Sequence, residues 1–203
     1  MQPRAFLPVS QPKRFEPGGH FNDSGCPVGG EPFKRLFFAF SLAEPQRRAI
    51  AQWRRALGLR AGKPVPVENF HVTLLFLGDV PAAQVPALCA VVDGLKRPAA
   101  PVRLLLDRLQ TWRRPGVLVL EPSDTPVALR QLVYALHQAL LPLGIADQAR
   151  DYRAHLTLSR DYPGEPPEAG VAPDFHLNVR QFGLYESRKG RYLPLAEWPL
   201  SGA

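Results

Sequence analysis

Short apolar runs recur along the chain from about residue 33 onward. They are too short for helices and rich in strand-forming residues, and they lie at 34–40, 70–78, 102–109, 117–120 and 153–160. Two further runs, 175–187 and 191–200, flank Lys189 and Gly190, a pair typical of a tight turn. The pattern predicts a series of strands, the last two joined by that turn.

Three stretches between these runs have helical spacing. In 44–59, apolar residues such as Ile50 and Trp53 fall roughly on one helical face, with arginines between them. A second helix is predicted at 82–95, and a third covers 123–144. The chain therefore carries helices and strands in one mixed succession.

The strand-helix-strand order occurs twice, and each copy ends in the pattern His-x-Thr-Leu. The first pattern begins at His71, which is 35 positions after Leu36, and the second begins at His155, which is 37 positions after Leu118. Matched order and spacing predict an internal duplication. We expect two similar, pseudo-symmetric lobes that bring one motif each into a common cleft.

Residues 1–32 have a different character. They are rich in proline, glycine and isolated polar residues without periodicity, so they cannot bury enough apolar surface to offset the entropy lost on ordering. We expect a flexible N-terminal extension at 1–32 and a single bilobal domain at 33–203.

Composition narrows the class of protein. An apolar fraction of 45% in 203 residues suffices for one core, and a formal charge of +7 with a pI near 9.8 favours polyanionic partners such as nucleic acid. Cys26 and Cys89 belong to no CxxC pair, and the chain has neither an apolar run of 18 residues nor the pattern of a signal peptide. We expect a cytoplasmic monomer that does not bind membranes.

The twin motif suggests acid–base chemistry. Side chains alternate along a strand, so His71 and Thr73 point one way, as do His155 and Thr157, while the intervening apolar residues anchor the strand. Two imidazoles that titrate near neutral pH can share the roles of general base and general acid. Threonine hydroxyls suit the non-bridging oxygens of a phosphate. The four side chains fit the opening of a cyclic phosphodiester by water.

Other chemistries have less support in the sequence. Two histidines without a nearby carboxylate or thiolate fall short of the three or four ligands of a zinc site, so we expect no metal. A Gly-x-Ser-x-Gly elbow and a phosphate-binding Gly-x-x-x-x-Gly-Lys loop are both missing. The remaining histidines, His20, His137 and His176, are predicted to be surface or packing residues.

These features resemble the two-histidine (2H) phosphoesterase superfamily, and within it the bacterial RNA 2′,3′-cyclic phosphodiesterases once named 2′-5′ RNA ligases. The resemblance covers about 34–200. Besides the twin motif, it rests on the stretches 35–40, 68–78, 155–160, 184–187 and 198–200.

The resemblance implies an α+β fold in which antiparallel sheets line a central cleft. It also implies hydrolysis of an RNA 2′,3′-cyclic phosphate to a 2′-phosphate without metal or cofactor. By the same resemblance, His71 is the proton donor to the departing 3′ oxygen and His155 the proton acceptor from water. Reversal of the reaction, a 2′-5′ ligation, exchanges these two roles.

The resemblance also bears on residues around the motif. Arg160 matches a basic residue common after the second motif and is a candidate to bind phosphate with Thr73 and Thr157, although a solvated strand-end arginine is an equal alternative. Many relatives have tryptophan where this chain has Pro64, so no base-stacking role is expected there. For Phe76, buried packing is favoured over stacking on a base. The arginines at 47, 48, 54, 55, 113 and 114 could guide an RNA backbone toward the cleft, but solvation of a helix face or loop is favoured, and none of them is taken as a site residue.

Two alternatives to RNA-end hydrolysis remain open at this point. The substrate could be a small cyclic nucleotide, because the motif recognises the phosphate and not the polymer. The chain could instead bind RNA ends or nucleotides without turnover, but a pure binding module has no need of two titratable groups.

Overall fold

The computed structural model describes residues 32–145 and 152–200. Within them, the helices are α1 (Glu44–Ala56), α2 (Val85–Asp93) and α3 (Val127–Leu140). The strands are β1 (Phe33–Ser41), β2 (Lys63–Pro64), β3 (His71–Pro81), β4 (Val102–Leu106), β5 (Arg108–Trp112), β6 (Val117–Glu121), β7 (Leu156–Arg160), β8 (Phe175–Val179), β9 (Gln181–Arg188) and β10 (Arg191–Pro199). Short 3-10 turns lie at Val67–Asn69, Ala82–Gln84 and Leu141–Leu143.

Eight strands form one antiparallel sheet in the order β10-β9-β1-β3-β7-β6-β5, with β2 paired to β7. The other two, β4 and β8, pair with each other in a separate antiparallel sheet. The predicted mixture of helices with antiparallel sheets is confirmed.

The large sheet consists of two halves. We call β1, β3, β9 and β10 the first half and β2, β5, β6 and β7 the second half. They are joined through β3 and β7 at one residue pair, Val72 opposite Leu156. These are the middle residues of the two His-x-Thr motifs, and both side chains are fully buried. The point of contact between the halves is therefore the duplicated motif itself.

Helices connect the halves by crossing between them. Helix α1 follows a strand of the first half, yet Arg54 donates hydrogen bonds to the carbonyls of Val65 (2.5 Å) and of Leu158 in β7 (3.0 Å). Helix α3 follows a strand of the second half and contacts β3 of the first. Its buried face, led by Leu129, Leu132 and Leu136, completes the core on that side. Packing across the halves keeps the two motifs in register.

Two predicted strands are wrong in extent. The run 102–109 is divided into β4 and β5, and the run 175–187 is divided into β8 and β9, with each piece in a different sheet. At the first break, the carboxylate of Asp107 accepts hydrogen bonds from the amide (2.6 Å) and hydroxyl (2.6 Å) of Ser123. Periodicity did not show these breaks, because strands of both sheets are apolar on alternate residues.

The predicted extension at 1–32 lies outside the described residues except for Pro32. Its carbonyl accepts a hydrogen bond from Ala82 (2.9 Å), next to the start of β1. None of the helices within the described ranges is both long and apolar enough to cross a membrane.

Candidate active site

A cavity of about 520 Å³ lies where the two halves of the sheet meet. Five of its lining residues are those singled out in the sequence: His71, Thr73, His155, Thr157 and Arg160. The structure therefore brings all of the predicted site residues together. Its other walls are made by Arg35, Phe37, Phe76, Trp112, Pro115, Val117, Ser187, Gly190 and Tyr192.

The convergence follows from the register of the central strands. With Val72 opposite Leu156 in an antiparallel pair, His71 comes beside Thr157 and Thr73 comes beside His155. All four side chains lie on the face opposite to the buried middle residues. A local two-fold relation between the strands thus produces an alternating arrangement of two imidazoles and two hydroxyls around one volume.

The backbone holds both imidazoles in the same tautomer. The ring nitrogen Nδ1 of His71 donates to the carbonyl of Asn69 (2.6 Å), and Nδ1 of His155 donates to the carbonyl of Arg153 (2.8 Å). A carbonyl only accepts, so the proton of each neutral ring is on Nδ1 and the lone pair on Nε2. In each half, the backbone carbonyl two residues before the histidine binds Nδ1, so the lone pair of the neutral ring is on Nε2.

The ring of His71 is in contact with two aromatic side chains. Its ring centroid is 5.2 Å from that of Phe37 and 5.0 Å from that of Tyr192, and its Nε2 accepts a hydrogen bond from Thr73 (3.0 Å). Asn69 is itself held by a hydrogen bond from its side-chain amide to the carbonyl of Gly190 (2.8 Å). The turn between β9 and β10 thereby supports the first motif.

His155 has a different set of neighbours. Its ring centroid is 4.3 Å from that of Trp112, and the guanidinium of Arg153 lies 4.6 Å from the Trp112 ring centroid. Glu121, almost fully buried in β6, pairs with Arg153 (2.7 Å) and accepts a hydrogen bond from the Trp112 indole nitrogen (3.1 Å). A charged network therefore supports the second motif.

Both histidines favour the neutral form in the folded protein. Burial lowers the pKa of His71 to about 4, with the charges of His155 and Arg160 acting in the same direction against the hydrogen bond to Asn69. Burial also lowers the pKa of His155, as do Arg153 and Arg160, while the backbone hydrogen bond and Glu121 raise it. An anion between the rings would oppose these effects.

The charge of the cavity wall suits an anion. Arg35 and Arg160 both line it, and no aspartate or glutamate is among its lining residues in the described ranges. The guanidinium of Arg160 lies 3.4 Å from the hydroxyl of Tyr192, on the opposite half of the sheet. Arg160 thus belongs to the cavity wall, in contrast to the arginine of α1 at position 54, which is used in packing. No group of three His, Cys, Asp or Glu side chains in the described part of the chain could hold a metal ion.

The expectation that Phe76 is buried is wrong. Along β3, Thr73 pairs with Ala39 of β1, Leu75 with Phe38 and Phe76 with Phe37. Leu74 therefore has no partner in β1. This bulge reverses the alternation, and Phe76, 36% exposed, faces the cavity with the guanidinium of Arg35 4.9 Å from its ring centroid. A strict two-residue period would have placed it in the core.

Sequence reasoning missed several residues of the site. Glu121 had a signal, since a carboxylate at the end of the apolar run 117–120 is costly to bury without a partner. Trp112 stood out only as an aromatic beside two arginines. Tyr192 and Phe37 had none, because nothing local marks a strand residue as facing a cavity formed by a distant motif.

Comparisons with known proteins agree with this geometry. The family model described as LigT like Phosphoesterase matches residues 40–119. RNA 2′,3′-cyclic phosphodiesterase of Escherichia coli is 34% identical over 177 residues, which cover 83% of this chain and 97% of that protein.

Solved structures match over similar lengths. The crystal structure of E. coli LigT complexed with 3′-AMP superposes with a TM-score of 0.75 at 32% identity, covering 84% of this chain and 99% of that one. A protein of Thermus thermophilus, TT0787, has a TM-score of 0.69 at 28% identity, covering 83% and 98%. With its paired motifs at one cavity and this likeness over nearly the whole domain, the chain belongs to the LigT-like phosphoesterase family of the 2H superfamily.

Proposed function

We propose that this protein hydrolyses 2′,3′-cyclic phosphate ends of RNA to 2′-phosphates, without a metal, by acid–base catalysis between His71 and His155. The observation that carries the proposal is the convergence of both His-x-Thr motifs in one cavity, with each Nδ1 tied to a backbone carbonyl. Both imidazoles thereby keep Nε2 for proton transfer. The E. coli relative named for this activity supports the choice of reaction.

The proposed step is an in-line displacement at phosphorus. Nε2 of His155 takes a proton from water as the water oxygen bonds to phosphorus. The bond from phosphorus to the 3′ oxygen breaks, and that oxygen takes the proton from Nε2 of His71. The product keeps its phosphate on the 2′ oxygen. Afterwards His155 is protonated and His71 neutral, so proton exchange with water restores the starting state.

Substrate charge is needed to prepare His71 for this role. With a pKa of about 4 in the substrate-free protein, His71 is neutral at neutral pH. The anionic phosphate between the rings stabilises the imidazolium, because an opposite charge at close range favours the charged form. Protonation of His71 is therefore coupled to substrate binding in this mechanism.

Phosphate recognition is assigned to Thr73, Thr157 and Arg160. The two hydroxyls come from opposite sides of the pair between β3 and β7, so they flank the phosphorus. Arg160 adds a charge-assisted donor from the end of β7. Hydroxyls and a guanidinium placed in advance stabilise the charge that develops on the non-bridging oxygens.

The cavity wall supports a nucleotide substrate over a simple cyclic phosphate. Phe76 offers an exposed ring beside Arg35, which suits stacking with a base. A small cyclic nucleotide fits these residues as well as an RNA end does. The rates on a cyclic mononucleotide and on a short RNA with a cyclic end therefore have to be compared. With a 5′ hydroxyl in place of water, the same site would join it to a 2′,3′-cyclic end as a 2′-5′ ligation, and the bond from phosphorus to the 3′ oxygen would again be the one that breaks.

The test is a product assay on a short RNA with a 2′,3′-cyclic end, in EDTA, alongside the cyclic mononucleotide. His71→Ala and His155→Ala should each lower the rate about 10²–10⁴-fold, the usual cost of losing a general acid or base. His176→Ala is the matched control, because His176 is exposed on β8 outside the cavity. The product should carry a 2′-phosphate.

Three results would contradict the proposal. A loss below about tenfold in both cavity variants would exclude two-histidine catalysis. Abolition of the wild-type rate by EDTA would exclude the metal-independent step. Tight binding of the RNA end without any product would favour the non-catalytic binding module.

A further inference from the structure

Glu121 lies beside the proposed active site without lining the cavity. It ends β6 on the same face as Val119, whose partner in β7 is Thr157. We propose that Glu121 is a positioning residue for His155: it holds Arg153 and Trp112 against that histidine and places a buried negative charge next to it. The catalytic meaning of this role rests on the proposed function, but the contact network does not.

Two paths lead from Glu121 to His155. Along the first, the carboxylate binds the side chain of Arg153 (2.7 Å), and the carbonyl of Arg153 accepts the hydrogen bond from His155 Nδ1 (2.8 Å). Along the second, Glu121 accepts a hydrogen bond from the indole of Trp112 (3.1 Å), whose ring centroid is 4.3 Å from that of His155. One carboxylate therefore restrains both the backbone and the aromatic contact of the imidazole.

Burial makes this carboxylate an effective electrostatic neighbour. Glu121 is only 6% exposed, so its field is poorly screened by water. Four charged or titratable groups interact with the His155 ring: Glu121 in β6, Arg153 just before β7, Arg160 at the end of β7, and His71 at the start of β3. Among them only Glu121 favours the protonated ring. It thus stabilises His155 as the imidazolium that forms when it accepts a proton.

Among the described groups that shift the pKa of His71, there is no carboxylate that corresponds to Glu121. The residue two positions before His71, which corresponds to Arg153, is Asn69, and its neutral side chain donates a hydrogen bond to the carbonyl of Gly190. The first half does contain a buried glutamate, Glu186, but it pairs with Lys34 (2.6 Å). Since Ser187 lines the cavity, the alternation of β9 turns Glu186 to the other face. Glu186 is therefore a matched control for loss of a buried carboxylate.

The decisive measurement is an NMR titration of the histidine rings in the substrate-free protein. Glu121→Gln keeps the shape and removes the charge, and it should lower the pKa of His155 while Glu186→Gln leaves it unchanged. Glu121→Asp keeps the charge on a shorter side chain, so the pKa of His155 in this variant should lie between the values in E121Q and in wild type. Should E121Q fail to fold, Arg153→Met tests the pair from the other side, since loss of that cation should raise the pKa of His155.

Kinetics on the cyclic-ended RNA provide the second readout. In E121Q, kcat should fall about three- to tenfold with little change in KM, and the acidic limb of the kcat profile should move to lower pH. Trp112→Phe, which removes the indole N–H and keeps an aromatic ring, should show a smaller loss of kcat.

The inference is overturned if the His155 pKa is the same in E121Q and wild type, or if E186Q lowers it equally. A wild-type protein that does not hydrolyse the RNA would refute the proposed function alone. The titration would still decide whether Glu121 acts on His155.

Discussion

The two halves of the sheet present the same motif to the cavity but support it by different means. In the first half, His71 contacts Phe37 and Tyr192 and is fixed through the neutral Asn69. In the second half, His155 contacts Trp112 and is fixed through Arg153, which a buried glutamate holds. Equivalent backbone geometry coexists with unequal electrostatics.

The difference lies in the surroundings of the two rings and not in the pairing of the strands that carry them. The antiparallel pair at Val72 and Leu156 makes the backbone positions of the two histidines equivalent. That symmetry does not extend to the charges around the two rings. Glu121 favours a protonated His155, whereas no carboxylate is among the described groups that shift the pKa of His71.

Removal of either histidine has the largest expected effect and tests whether the roles differ. Both His71→Ala and His155→Ala should lose about 10²–10⁴-fold on the normal cyclic end. With sulfur in place of the departing 3′ oxygen, the leaving group needs no proton, so H71A should recover to within about tenfold of wild type. H155A should stay defective, as single-turnover rates will show. Recovery of H155A instead would mean that the roles are exchanged.

The acid sensitivity of the fold is the next expected effect. The pKa of His71 is about 4 in the folded protein, against 6.5 for the free side chain, so between these values the unfolded chain binds the proton more strongly. Stability should therefore fall as pH drops from 6.5 towards about 4, by up to about 3 kcal/mol from this group.

Guanidinium unfolding of wild type, His71→Asn and the exposed control His176→Asn will measure this, at about pH 7.5 and about pH 4.5. His71→Asn should lose less stability on acidification than the other two proteins. Equal losses in all three would contradict burial of a neutral His71.

The threonines should contribute less than the histidines and unequally. Thr73→Val and Thr157→Val keep the shape and remove the hydroxyl, and each should lower kcat roughly 10- to 100-fold by loss of a phosphate donor. Thr73 also donates to His71 Nε2, so only T73V should shift the pH profile. Identical profiles in both variants would indicate that this hydrogen bond is not kept in the complex.

The smallest expected effect concerns two aromatic rings that line the cavity, Phe76 and Trp112. Trp112 already contacts Arg153 and His155, whereas Phe76 has only Arg35 on its ring among the ring contacts of the described residues. Phe76→Ala should lower kcat/KM about three- to tenfold on a normal end and have no effect on an end whose last nucleotide lacks its base. Phe76→Trp should keep the wild-type preference for an end whose last nucleotide carries its base. Tyr134→Ala, exposed on α3, is the control.

Local patterns predicted the elements well and their ends less well. The helices and the turn at Lys189 and Gly190 were predictable, since both turn residues adopt the positive φ angles (49° and 78°) that such a turn requires. The breaks at Asp107 and Arg180 were not, because an apolar alternation is the same on either side of a change of sheet. The same limit applies to Phe76, whose orientation depends on one unpaired residue in β3.

By itself, the sequence determined the three helices, the strands that carry the two motifs and the two histidine–threonine pairs, because periodicity and repeated spacing are properties of the chain alone. Only the tertiary structure decided that Val72 and Leu156 are opposite each other, that a bulge turns Phe76 to the cavity, and that Glu121 reaches the surroundings of His155. The reason is physical. Register, bulges and the pairing of buried charges depend on strands that are distant in sequence, and the free energy of those contacts exists only once the halves have packed.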